Sequence, residues 1–246
     1  MMTLTLKTGA AIAAVLALAG CEQNDEAFGA RVRAYLLEHP EVLQEMSTAL
    51  QQKQLAELAK SSSEAIAKHR AQLERDPRDF VANPGGSVTV VEFFDYNCAY
   101  CKLAAPEVVK LIRENPDVRF VFKEFAFQTE ESVLAAHIAL TPVAKPKSLE
   151  IYAGLMAQKP LDQAAIDRVL RENGVDPKVA REQAKDPAIQ RQMLDIRALA
   201  QALNIDGTPA FVVGDKIIPG ADMDALKAAI AQAKAVDLKT PSGKPS

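Results

Sequence analysis

The chain has no tryptophan, three histidines and three cysteines among its 246 residues. So few thiols and imidazoles argue against a structural zinc site, which needs four ligands, usually two Cys-x-x-Cys pairs or one pair with added histidines. His39, His69 and His137 are scattered, and none stands at a ligand-like spacing from a cysteine. Three cysteines in a chain of this length also exclude dependence on a disulfide scaffold. Basic charge is short as well: 29 Lys and Arg stand against 32 Asp and Glu, a net charge of −3. No surface that neutralises phosphates is visible, so nucleic acid is not an expected partner. Small molecules, proteins and a membrane remain. No cofactor and no resident metal are expected.

What is present begins with a leader. Lys7 precedes "TGAAIAAVLALAG", an apolar stretch too short to span a bilayer comfortably. Residues 1–20 therefore read as an export signal. The stretch ends in "LAGC", Leu18 to Cys21, which resembles the bacterial lipobox, whose cysteine is lipidated and becomes the mature N-terminus. The alternative is ordinary cleavage after Ala17–Ala19, leaving Cys21 as a free thiol. Either way the mature chain is expected in the periplasm of a Gram-negative bacterium, with a lipid anchor at Cys21 in the first case.

Residues 21–80 read as a helical tether or oligomerisation region. Phe28, Val32, Tyr35 and Leu36 fall at helical spacing, Pro40 interrupts, and Val42, Leu43, Met46 and Leu50 resume the pattern. Such narrow stripes cannot stay solvated. They must pack on the rest of the chain or on copies of themselves. "VANPGGS" is a turn-rich boundary. Beyond it, "VTVVEFF" has the β-branched and aromatic content of a buried strand. "AYCKLAAPEVVKLIREN" reads as a helix and "DVRFVFKEFAF" as a second strand, together a βαβ unit with a right-handed crossover. Residues 129–203 are helical throughout. "PAFVVGDKIIPG" then gives a hairpin turned at Gly214-Asp215, and "DMDALKAAIAQAKAV" a closing helix. The tail 237–246 reads as disordered. The fold class is thus α/β, in the order βαβ, helical insertion, ββα, with an N-terminal helical extension.

Cys98 and Cys101 sit three apart where the first strand gives way to its helix. Zinc lacks ligands here, but a two-thiolate Cu(I) site stays open, because soft thiolates suit that ion. A redox pair has its own physical basis. A thiol at a helix N-terminus faces unpaired amides and the positive end of the helix dipole, which favour thiolate. The second thiol, one turn on, is shielded. The outer sulfur attacks a disulfide and the inner one resolves the mixed disulfide.

At these residues the sequence resembles the thioredoxin fold, and within it the exported DsbA-like branch. "EFFDYNCAYCK" is similar to the active-site segment of that branch, Pro106 to the proline its active-site helix carries, and "GTPAFVVG" to its cis-proline segment. The resemblance covers about residues 86–236, within an expected thioredoxin domain of 81–236. It implies a reversible Cys98–Cys101 disulfide, a cis Thr208-Pro209 bond beside the sulfurs, and substrate binding by Tyr100, Thr208 and Pro209. It also implies that Glu92 is the buried acid near the inner cysteine, able to accept the Cys101 proton. Expected partners are exported proteins with thiols or disulfides and a membrane redox partner. The dipeptide Ala99-Tyr100 departs from the Pro-His of DsbA and supplies no cation, so a less oxidising pair is expected. A tyrosine there and a threonine before the proline look more like the exported isomerases; a DsbA-like oxidase is the alternative. "FGARVRAYLLEHPEVLQEM" resembles the N-terminal region of the suppressor-of-copper-sensitivity C proteins, which implies a homo-oligomer, with a trimer favoured.

Overall fold

The structure, a computed structural model, describes residues 26–237. The expected export signal, Cys21 and residues 238–246 of the expected tail lie outside the described residues. The chain divides into two units, one ending at Leu58 and one starting at Ala59.

In the first unit, helix α1 covers residues 26–38, and helix α2, Glu41–Glu74, begins after Pro40. Phe28, Val32 and Tyr35 of α1 are exposed, as are Leu43, Met46 and Leu50 of α2. The apolar stripes legible in the sequence are therefore uncovered within one copy of the chain.

The second unit starts within α2, earlier than the boundary near residue 81 that the turn-rich segment suggested. Ile66 and Leu73 of α2 are fully buried in its core. Four of its five strands follow the sequence reading: β2 (Val88–Phe94), β3 (Val118–Glu124), β4 (Ala210–Val213) and β5 (Lys216–Pro219). A further strand, β1 (Phe80–Ala82), occupies what reads as the end of the helical region and the start of a turn. The sheet order is β1-β3-β2-β4-β5, with β2 and β3 parallel and every other pair antiparallel. Central β2 is covered on both faces, which explains its near-continuous apolar run.

Helix α3 (Ala99–Glu114) makes the crossover from β2 to β3. It packs with α9 (Met223–Asp237) on one face of the sheet, where Val90, Phe94, Phe120 and Phe122 point. The insertion supplies α4 (Glu130–Ala139), α5 (Ser148–Met156), α6 (Gln163–Glu172) and α7 (Pro177–Gln183), which build onto this face. Helix α8 (Pro187–Ala202) crosses to the other face. There Ile196 and Leu199 join Ile66 and Leu73 against Val91, Phe93 and Val121.

Two glycines fix the geometry around the sheet. A Cβ at Gly86 would lie 2.5 Å from the Arg119 amide nitrogen, so only glycine lets the turn before β2 approach β3 this closely. Gly214 takes φ +60° in the hairpin between β4 and β5. On the α2 face, Lys123 is buried in β3. Its ammonium pairs with buried Asp79 and donates to the Gln72 carbonyl at 2.6 Å. The charge is buried with its partners, the condition under which an interior lysine is tolerated.

Candidate active site

The site forms where β2 ends and α3 begins. After Phe94, the Cys98 amide donates to the Asp95 carbonyl at 3.1 Å, closing a turn into the helix. Cys98 is the N-cap of α3, with φ −69° and ψ 122°. Its sulfur accepts from the Cys101 backbone N–H at 3.4 Å, so the thiol occupies the place of a capping oxygen. From the opposite side of the site comes the segment before β4. The Cys98 sulfur lies 3.1 Å from the Thr208 carbonyl oxygen, to which it donates when protonated. The Thr208-Pro209 peptide is cis. Strand β4 pairs with β2, and that pairing delivers residue 208 to residue 98 across the long insertion.

Both cysteines are free thiols in this structure, and they are chemically unlike. Hydrogen bonding from the Cys101 thiol is the largest influence on Cys98. It outweighs burial and, with help from Thr208 and the amides of Cys101 and Tyr100, lowers the Cys98 thiol to about 5. Burial pushes the Cys101 thiol far up, and its bond to Cys98 and the nearby Glu92 push the same way. At neutral pH the outer sulfur is a thiolate and the inner one a thiol.

Glu92 lies in the middle of β2 and is 1% exposed. Both of its carboxyl oxygens accept from the Tyr152 hydroxyl of α5, at 3.1 Å each. Burial raises its pKa to about 8, against the opposing pull of the Tyr152 bond. The side chain is therefore interior rather than at a solvent-facing strand edge. Tyr100 is exposed on the first turn of α3, with exposed Leu103 one turn along. Pro106 sits inside α3, where its missing amide leaves the Lys102 carbonyl without a helical donor.

Three residues matter to which the sequence reading gave no role. Asp95 is completely buried. One oxygen accepts from the Asn97 amide at 2.7 Å; the other accepts from the amides of Phe127 and Gln128, at 2.8 and 2.9 Å, and from the Ser132 hydroxyl at 3.1 Å. It thereby ties the loop before Cys98 to the start of the insertion. An aspartate opening a turn two residues before an amide is the one local signal for this. Tyr152 carries no such signal, because helical periodicity marks it only as core. Lys102 donates to the Gln158 carbonyl at 2.6 Å and fastens α3 to the segment after α5.

His39 bonds Glu41 at 3.1 Å, His69 bonds Gln72 at 2.9 Å, and His137 is partly buried on α4. Among the described residues, no three His, Cys, Asp or Glu side chains gather as a metal site. Nor is any described helix long and apolar enough to cross a membrane.

A thioredoxin-type sheet that presents a capped thiolate above a buried thiol, opposite a cis-proline, defines a thiol–disulfide oxidoreductase. The chain belongs to the DSBA-like thioredoxin domain family, which matches residues 89–231, and residues 26–57 match the Copper resistance protein ScsC N-terminal domain. It is similar to the crystal structure of Salmonella enterica Typhimurium BcfH, with 30% identity and a TM-score of 0.71 over 89% of this chain and 99% of that one. It is also similar to Proteus mirabilis ScsC in a transitional conformation, with 29% identity and a TM-score of 0.64 over 87% of this chain and 98% of that one. Disulfide bond formation protein D of Bacillus subtilis (strain 168) is 31% identical over 158 residues, 58% of this chain and 71% of that protein.

Proposed function

We propose that this protein is an exported disulfide isomerase or reductase that acts on other exported proteins. The observation that carries this reading is the inequality of the two sulfurs: Cys98 ionised at about 5 at the helix cap, Cys101 buried and protonated one turn below. The Cys98 thiolate attacks one sulfur of a substrate disulfide. A Cys98–substrate disulfide forms and the other substrate sulfur leaves as a thiolate, protonated from solvent. An isomerase can stop there and let that freed thiolate attack a different sulfur of the same substrate. Otherwise the ionised fraction of Glu92, which grows as pH approaches its value of about 8, takes the Cys101 proton and the Cys101 sulfur attacks Cys98. The substrate then leaves reduced while the Cys98–Cys101 disulfide forms, so the enzyme has given up two electrons. A membrane partner dithiol returns them.

Isomerisation or reduction is favoured over oxidation by the chemistry beside the thiolate. Tyr100 is exposed and uncharged, so the position that can hold a cation next to Cys98 holds none. A value of about 5 lies between the roughly 3.5 of a strong oxidant and the roughly 7 of a reductant. The exposed stripes of α1 and α2 support assembly with further copies, with a trimer favoured, since a solvated tether has no use for them. "LAGC" supports export and lipidation at Cys21. Residues 1–20 act as signal, and residues from 21 to the start of the catalytic unit at Ala59 as tether and oligomerisation region.

Reactivation of scrambled ribonuclease tests this reading, with Cys98→Ser as control. Cys98-dependent reactivation supports isomerase action. Rapid oxidation of reduced ribonuclease without reactivation would instead make the protein an oxidase. A second reading, Cu(I) binding by the same thiols, draws on the copper-resistance description of the matched N-terminal domain. A tightly held stoichiometric Cu(I) with negligible exchange activity would favour it.

A further inference from the structure

Apart from the thiolate, the exchange reaction uses no exposed charge, yet one flank of the site is basic. Lys102 follows Cys101 on α3, and its amide donates to the Cys98 carbonyl at 3.0 Å, so it lies one helical turn from the reacting residue. Its ammonium does not turn to the Cys98 sulfur but donates to the Gln158 carbonyl at 2.6 Å. Gln158 collects a second cation: its Oε1 accepts from the Arg168 guanidinium of α6 at 2.6 Å. A third, Lys159, is the next residue along the chain and is exposed. Gln158 is itself held, because its Nε2 donates to the Gly154 carbonyl at 2.7 Å. The three cations are therefore gathered at one anchored residue.

They lack anionic partners. Among the described residues, none of Lys102, Lys159 and Arg168 forms an ion pair. The acids of these segments are engaged elsewhere. Asp95 is buried and accepts from three amides and a hydroxyl. Asp162 caps α6 through the Ala165 amide, and Asp167 pairs with Arg181 at 2.7 Å. Burial lowers the Lys102 ammonium most, and the charge of Lys159 adds to this, while Asp95 and Cys98 pull it back. One ammonium thus feels both the reacting sulfur and a neighbouring cation. The chain as a whole carries a charge of −3. The basic edge is a local field opposed in sign to the overall one. Like charges held at one residue repel each other, and an anionic partner relieves that cost.

We propose that the edge formed by Lys102, Lys159 and Arg168 selects substrates whose reacting cysteine is flanked by Asp or Glu. The inference deepens the exchange reaction proposed above and rests on it. The three are specificity-determining residues: they set which disulfide reaches Cys98 and take no part in the bond exchange. An extended substrate advances about 3.4 Å per residue, so acids within a few positions of its cysteine meet the edge. Their attraction to it steers the approach and offsets their repulsion by the thiolate. Tyr100 and Leu103, exposed at the start of α3, offer apolar contact to the rest of such a segment.

The test uses the reduced full chain and two synthetic peptides, each with one cysteine joined to thiopyridine through a disulfide. One peptide has glutamates on both sides of the cysteine and the other has lysines. Attack of the Cys98 thiolate on the peptide sulfur joins the peptide to Cys98 and releases coloured thiopyridone. Each rate is divided by that of dithiothreitol with the same peptide, which removes the intrinsic reactivity of the disulfide. In low salt the glutamate peptide should react about tenfold faster than the lysine peptide, and the ratio should approach one in roughly 0.5 M salt. Lys159→Gln combined with Arg168→Gln should lower the low-salt ratio about fivefold. Lys159→Glu alone, a change at an exposed side chain, carries the test if the double variant does not fold. A wild-type ratio of one or below in low salt, as the net charge alone would give, overturns the proposal. So does an unchanged ratio in a folded variant. Absence of release with either peptide would instead sink the exchange reaction itself, and the selection with it.

Discussion

The Cys98 sulfur lies 3.1 Å from the Thr208 carbonyl oxygen, two atoms separated by 110 positions of sequence. The contact exists because β4 pairs antiparallel with β2 and sets the end of one long excursion against the start of another. One side of Cys98 meets helix amides, and the other meets the carbonyl of an extended segment. A substrate strand that pairs with Thr208 would therefore bring its own sulfur alongside the thiolate.

The division of labour between the sulfurs predicts opposite outcomes for two similar substitutions. Cys98→Ser should reduce exchange to the uncatalysed rate without unfolding the protein. Cys101→Ser should leave the first attack and remove the resolving one, so mixed disulfides with substrates accumulate on non-reducing gels. Adducts in Cys98→Ser, or none in Cys101→Ser, would reverse the assignment.

The thiolate also couples redox state to stability. Between pH 9.0 and about 5, the unfolded chain holds a proton on Cys98 that the folded protein does not. The stability of the reduced protein relative to Cys98→Ser should therefore rise with pH across this window, by about 1.4 kcal/mol per unit. The gain is complete above the window and is lost as pH falls through about 5. Urea titrations of both proteins at several pH values measure it.

Glu92 has the reverse sign. From pH 4.5 to about 8, the folded protein keeps a proton on Glu92 that the unfolded chain releases, so this residue costs stability as pH rises. Glu92→Gln should remove that cost, leaving the variant more stable than wild type at alkaline pH. The same change removes the acceptor for the Cys101 proton and should slow resolution by about 100-fold. Paired melting curves and rapid-mixing kinetics check the two effects.

Much of this was legible in the sequence, and the rest was hidden for identifiable reasons. β2, α3 and β3 announce themselves because a doubly buried strand and an amphipathic helix leave distinct periods, and Cys98 falls at their junction. β1 was not legible: it is three residues long and pairs at the sheet edge, beside residues that read as a turn. The start of the catalytic unit was hidden inside α2, because one helix changes its surroundings partway without changing its pattern. Glu92 was visible only through a family resemblance, since an acid within an apolar strand reads equally as an edge residue. Its partner Tyr152 lies 60 positions away on a helix whose periodicity records burial and not hydrogen bonding.

The exposed stripes of the first unit carry the oligomerisation claim. Leu43→Asp combined with Leu50→Asp should lower the mass measured by light scattering to that of one chain. It should also diminish ribonuclease reactivation while preserving exchange with a small disulfide. An unchanged mass would show that these faces do not hold copies together.

The central claim is that Cys98 is a thiolate at neutral pH because the Cys101 thiol, with the first amides of α3, donates to it. Ultraviolet thiolate absorbance of the reduced protein, titrated with pH and compared with Cys98→Ser, tests it most directly. The account predicts one thiolate that titrates near 5 and disappears in the variant. A Cys98 titration near 9, the value of an ordinary thiol, would contradict it.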